Sequence, residues 1–223
     1  MRSTDRRCQR TRVALREALA QEIKECGDLS KVTVTGVTRR ADVTRRTFYS
    51  HYRDIPTLVA AIEDETIEDL SPLVRAISEV TLPELEQALK AFEPCPRSIE
   101  VLKYVRENGE LLSALLGEGG DPAFASKLQA MVRDVVEDRA RAGFSPVVAM
   151  GFDYYLTFVI AAEVGVLIRW LCRGMEESEE LMARIMTALM FVRPGDLYNR
   201  PIDFDLPLLS VALTDEGKEL VHG

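Results

Sequence analysis

The sequence predicts an all-α chain, with an N-terminal unit of three helices followed by a larger helical one. Three observations predict it. Apolar residues recur three and four apart through most of the chain, the alternation of a half-buried strand is absent, and Gly and Pro clusters punctuate the sequence at helical lengths. At 223 residues, 47% hydrophobic and 29% charged, the composition is that of a folded globular chain, long enough for one large unit or a small one plus a larger one.

Over Thr11 to Ile23, Ala14, Leu15, Ala18, Leu19 and Ile23 form one apolar stripe, with Arg12, Arg16, Glu17 and Lys24 elsewhere, and Gly27-Asp28 closes this first helix. Thr33 and Thr35 offer caps for a short second helix that turns Val34, Val37 and Ala41 inward. Asp42-Val43 breaks it, and Thr44 can cap a third helix in which Phe48 and Tyr52, four apart, form the apolar anchor while Arg45, Arg46 and Tyr49 point away. Asp54 before Ile55-Pro56 starts a fourth helix, expected to run to Leu70 and to stop or kink at Ser71-Pro72. Further helices are expected near Pro83 to Phe92, Arg97 to Leu116, Pro122 to Ala142, Pro146 to Arg173 and Glu176 to Phe191. Residues 193–223, with Pro194, Gly195, Pro201 and Pro207 and no clear period, read as an extension.

Charge is divided unevenly. Residues 1–53 hold 13 Lys or Arg against 6 Asp or Glu, whereas 54–223 hold 15 against 30, so a chain of net charge −8 has a basic end and an acidic body. Such a chain meets a polyanion by its N-terminal end, although a basic surface also serves simply as a solvated one. Cys8, Cys26, Cys95 and Cys172 lack Cys-x-x-Cys spacing and only two histidines accompany them, so no metal site or cofactor is expected and a reducing, cytoplasmic setting fits. The first 25 residues are too charged for a secretory signal. The apolar stretch Val147 to Cys172 carries Asp153, Glu163 and Arg169, which reads as a buried helix and not a membrane span.

Two short helices joined by a tight turn behind a supporting helix form the geometry that lays the second of the pair in the major groove of DNA. The residues that carry it are Arg10-Thr11-Arg12, Val32-Thr33-Val34 through Ala41-Asp42-Val43-Thr44, and Thr47-Phe48-Tyr49-Ser50-His51-Tyr52. On these, residues 10–70 resemble the DNA-binding domain of the tetracycline-repressor-like (TetR/AcrR) bacterial regulators. The resemblance implies that Arg45, Arg46 and Thr47 face bases while Tyr49, His51, Thr33 and Thr35 touch the backbone; Thr44 reads better as a cap than as a reader. Two departures stand out. Asp42 occupies a turn position where that family most often has Gly, and Asp54-Ile55-Pro56-Thr57 stands where it tends to carry a phosphate-touching Lys.

The same resemblance implies three parts: a helix-turn-helix domain over 1–53, a helical effector-binding and dimerisation domain over 54–192, and the extension 193–223. Stretches Gly120-Asp121-Pro122-Ala123-Phe124 and Phe152 to Met175 resemble one C-terminal subtype. Leu181, Ile185 and Leu189, with Met182 and Met186 beside them, form a stripe suited either to a homodimer contact, packed against Trp170 and its counterpart in a second copy, or to closing the monomer core. Phe152, Tyr155, Phe158 and Val159, with Tyr104 reaching across, suit an apolar effector pocket or ordinary packing. Glu163 in such a helix must be paired, exposed or set at a pocket, with Arg169 the obvious bridge. The expectation is therefore a sequence-specific, effector-responsive repressor acting as a homodimer on a palindromic operator in double-stranded DNA. The rival is a helical adaptor with a degenerate DNA head, working through a protein partner. Enzymatic chemistry is not expected, because no nucleophile–base pair or phosphate-cradling glycine loop is found.

Overall fold

The computed structural model describes residues 3–140 and 146–191, with side-chain surroundings for 7–81, 83–137 and 153–191. The expected turn from Gly143, the extension 193–223 and the side chain of Phe152 lie outside the described residues. Among the described residues there are ten α-helices and no strand.

The first three helices follow the sequence closely. Helix α1 (Ser3–Cys26) buries Leu15, Ala18, Leu19 and Ile23, and ends at Gly27, whose φ of 67° is a conformation that side chains with a Cβ seldom adopt. A single 3-10 turn, Leu29–Lys31, leads to α2 (Val34–Arg40), where the Thr33 hydroxyl accepts from Gly36 N at 3.1 Å. Asp42 takes φ 51° in the turn, a strain that Asp bears better than most residues. Helix α3 (Arg45–Tyr49) is only five residues long, and the Thr44 hydroxyl caps it by accepting from Thr47 N at 3.1 Å.

Helix α4 (Ile55–Ser78) does not stop at Leu70 as expected, but continues past Pro72. The ring costs one backbone bond, yet Pro72 sits on the exposed side, where water can reach the freed carbonyl of Glu68. Buried Leu70, with Leu73 and Val74 packed on the core, holds the helix on both sides of the proline. After α5 (Leu82–Ala91), opened by a reciprocal Thr81–Glu84 capping box, the expected helix from Arg97 to Leu116 is divided into α6 (Ser98–Glu107) and α7 (Gly109–Leu116). The break is at Asn108, whose amide donates back to Tyr104 O at 2.9 Å and accepts from Arg16 of α1 at 2.9 Å. A Cβ on Gly109 would stand 2.3 Å from the Met175 methyl, so the chain bends where another segment presses on it. Helices α8 (Pro122–Ala140) and α9 (Pro146–Cys172) match expectation, and α10 (Glu179–Leu189) begins three residues later than expected because Ser178 is its cap.

One continuous apolar core runs from Leu15 of α1 to Ala183 of α10. Helix α1 packs on α7 as well as on α2, α4 packs on α6 and α8, α8 on α9, and α6 on α10. The N-terminal helices thus rest directly on the body, chiefly through α1 on α7. Leu156, Ile160 and Val164 of α9 form a small second cluster with Val132 and Val136 of α8.

Candidate nucleic-acid interface

A five-residue helix cannot hold itself together in water, so α3 depends on what its apolar side is buried against. Phe48 is 0% exposed and Tyr52, just beyond the helix, 6% exposed. Their rings lie 6.0 Å apart, and Tyr49 meets Phe48 edge-on at 5.6 Å. Burial pushes the Tyr52 hydroxyl up, against the opposing influence of Arg12, which also reaches Glu65 of α4 at 3.6 Å. The anchor therefore joins α1, α3 and α4.

The opposite side of α3 is open. Arg45 and Arg46 are exposed, and Tyr49 is 50% exposed. Arg45 lies over the Tyr49 ring at 6.0 Å and reaches its hydroxyl at 3.4 Å, which holds the guanidinium along the helix surface. Thr47 is half-buried and its hydroxyl lies 2.9 Å from that of Thr44, so both hydroxyls serve the cap as well as facing outward. Thr33 is exposed and occupied as the α2 cap, while Thr35 is exposed on α2. His51 is half-buried, with Nδ1 3.8 Å from the Cys8 thiol. That contact, across 43 residues, brings the beginning of α1 with its exposed Arg7 to the end of α3, which spacing in the sequence could not reveal.

A part-buried ion pair joins α1 and α2. Arg40 donates to Glu22 at 3.0 Å and also pairs with Glu25, and the Glu22 carboxylate is seated over Gly36, where a Cβ would fall 1.8 Å from its oxygen. A side chain at Gly36 would displace that carboxylate, and Arg40 is committed to the scaffold while its neighbour Arg39 stays exposed. At the start of α4, Asp54 accepts from both the backbone and the hydroxyl of Thr57, at 2.8 and 2.6 Å, and from Arg53 at 3.0 Å. The Thr57 bonds, with Arg53, hold its carboxyl down at about 2. A charged cap thus stands where the resemblance would place a Lys.

In the body, the residues expected to form a pocket are not brought together. Tyr104 turns toward α4, its hydroxyl donating to Asp69 at 3.1 Å. Tyr155 and Phe158 are 52% and 70% exposed, and Val159 is half-buried. The physical reason is the packing order, in which α6 sits between α4 and α10 while α9 sits on α7 and α8. Glu163 is half-buried with its carboxyl pushed up to about 7 by burial, and no bridge to Arg169 forms among the described residues. The interface stripe also divides. Trp170 and Met182, at 3% and 5% exposed, belong to the monomer's own core, where Arg106 lies over the indole at 5.1 Å. Ile185 and Met186 are half-buried, while Leu181 and Leu189 remain 46% and 45% exposed. What the sequence reading missed is the outer side of α9: Tyr154, Phe158, Ala161, Ala162 and Gly165 are all exposed on it.

Comparison with known proteins finds similarity in the C-terminal part of the chain. Residues 95–191 match the family model TetR_C_8, described as a transcriptional regulator C-terminal region. The chain is thus similar to TetR-type transcriptional regulators over that region. Its fold is that of a TetR transcriptional regulator from Streptococcus agalactiae 2603V, with a TM-score of 0.56 at 24% identity over 84% of this chain and 97% of that one. It also matches the dihydroxyacetone kinase operon activator DhaS, with a TM-score of 0.52 at 14% identity over 86% of this chain and 98% of that one. A 48-residue stretch is 42% identical to the uncharacterized HTH-type transcriptional regulator YxbF of Bacillus subtilis (strain 168), covering 22% of this chain and only 13% of that protein's length.

Proposed function

We propose that the chain is a TetR-type regulator that binds double-stranded DNA in a sequence-selective way, as a homodimer, with α3 in the major groove. The observation that carries the reading is the two-sidedness of α3: Phe48 is wholly buried, while Arg45, Arg46 and Tyr49 stand on an open, basic end of an otherwise acidic chain. Arg contacts guanine with two parallel hydrogen bonds, worth ~1–3 kcal/mol of discrimination, and hydroxyl and imidazole groups serve phosphates. In this reading Arg45, Arg46 and Thr47 read bases, and Tyr49, His51, Thr33 and Thr35 position the backbone.

The homodimer reading rests on α9. The segment Asp153–Cys172 is long and apolar enough to cross a membrane, yet only 28% of it is buried within the chain. Asp153 pairs with Arg133, Glu163 is half-buried and Arg169 is exposed, all of them costly in hydrocarbon. A second copy is the cover that fits, because two-fold pairing of the same helix buries both outer faces at once and Gly165, with nothing near its Cβ position, allows close approach. The regulator acts as an effector-responsive repressor on a palindromic operator, in the cytoplasm and without enzymatic activity of its own. The unpaired, half-buried Glu163 is the group a cationic or hydroxylated effector would meet.

Selection of bound duplexes from a random pool by the full chain, at stated salt, tests the reading. The expected product is a palindrome with half-sites about 34–36 Å apart, lost when Arg45 and Arg46 are replaced by Ala. A pool that stays random while the chain still works in the cell would overturn it in favour of the adaptor.

A further inference from the structure

Besides the packing of α1 on α7, two contacts at the beginning of α8 tie the body to α4 and to the loop that follows α1. The α7–α8 connection is wound tightly on itself: Asp121 N donates to Leu115 O at 2.8 Å, and Cβ atoms at Gly117 and Gly120 would fall 2.4 and 2.1 Å from carbonyl oxygens of α7. Between them Gly119, at φ 83°, lies flat against the loop that follows α1, where a Cβ would be 2.2 Å from Gly27 O. Its carbonyl accepts from Leu29 N at 2.7 Å, a backbone bond between the reading head and the body. In the second turn of α8, Lys127 pairs with Glu63 of α4. Glu63 is 0% exposed, and its second oxygen is buried without a hydrogen-bond partner.

An incompletely satisfied buried carboxylate is an expensive way to join two helices, and hydrophobic residues of the same size hold helices at least as firmly. What it adds is a defined register. Lys127 must stay opposite Glu63, because any slide of α8 along α4 leaves a buried charge unpaired. Six residues further along α8, Arg133 donates to Asp153 at 2.7 Å and also bonds Thr157, both on α9. The helix from Pro122 to Arg133 spans roughly 17 Å, so one stretch of α8 joins α9 to α4 and to the loop after α1.

We infer that α8 is the strut that sets where the reading head stands, with the Lys127–Glu63 pair and the Gly119–Leu29 backbone bond as positioning contacts. Movement at α9 is transmitted by α8 to α4 and to the α1–α2 connection together. The inference rests on the proposed dimeric DNA binding, and it locates the element that fixes head spacing in a helix touching neither DNA nor the exposed α9 face.

The test uses the full chain and duplexes selected from a random pool by the wild type, so failure of the underlying reading is seen first, as failure to select a palindrome. The double variant Glu63→Gln with Lys127→Met removes both charges without burying an unpaired one, and keeps the fold measurable where Gly119→Ala fails to fold. Affinity is measured for a single half-site and for palindromes whose half-sites are moved apart or together by two base pairs. The expected result is half-site affinity within about twofold of wild type, together with a several-fold loss of discrimination between correct and altered spacing. Lys127→Arg, which preserves the pair, should retain the wild-type discrimination. A folded double variant that discriminates spacing as the wild type does would overturn the inference, as would a loss of half-site and palindrome affinity in equal proportion.

Discussion

Replacing Glu163 with glutamine should make the protein more stable at neutral pH and leave it almost unchanged at pH 4.5. Burial pushes the carboxyl up to about 7, against 4.5 for a free glutamate. The folded state therefore binds the proton more tightly than the unfolded one between those values. Below about 4.5 both states are protonated and the group is neutral in its effect; as pH rises toward 7 only the unfolded state ionises, and stability falls. The gap is between two and three decades of proton affinity, each about 1.4 kcal/mol, which sets a ceiling of ~3 kcal/mol. Glu163 is half-buried, and water reaching it screens the charge, so a loss of about 1–2 kcal/mol is expected. Urea denaturation of wild type and Glu163→Gln at matched protein concentration, at pH 4.5 and pH 7.5, measures it, since every other titrating group cancels in the difference. Parallel pH profiles for the two proteins would refute the reasoning and mean that Glu163 is already paired or solvated in the folded protein.

Phe48→Ala should cost about 3–5 kcal/mol, because the ring is wholly buried and five residues of helix cannot reorganise around the cavity; thermal unfolding of the full chain reads this. Arg45→Ala and Arg46→Ala should leave stability within about 0.5 kcal/mol and weaken binding to the selected duplex by about 1–3 kcal/mol each, measured by titration at fixed salt. Phe158→Asp, at a position 70% exposed within one chain, should shift the protein from dimer to monomer in sedimentation analysis while helical content is retained.

Much of the N-terminal unit was legible because its signals are local. A cap acts on the backbone two or three residues away, so Thr33, Thr44 and Asp54 announce their helices wherever those helices pack, and Asp42 marks a turn for a reason internal to its own backbone. Phe48 and Tyr52 were legible as an apolar pair four apart, but Tyr52 falls just beyond α3, and which of these rings is buried is decided by α1 and α4. Pro72 and Asn108 were misleading because the outcome at each depends on neighbours. The proline is tolerated because its helix is held from the far side, and an unremarkable asparagine ends a helix because Arg16 and Met175 close on it.

The same division runs through the whole molecule. By itself the sequence determined the helical class, the order of helices, the two-sided reading helix and the separation of basic from acidic charge, all of which follow from periodicity, caps and composition over short spans. Only the tertiary structure decided that Trp170 and Met182 close the monomer while Phe158 faces outward, that Tyr104 turns to Asp69, and that Lys127 meets Glu63. A helix carrying apolar residues around most of its circumference, as α9 does, has no preferred side until its neighbours choose one, and an ion pair 64 residues apart leaves no periodic trace.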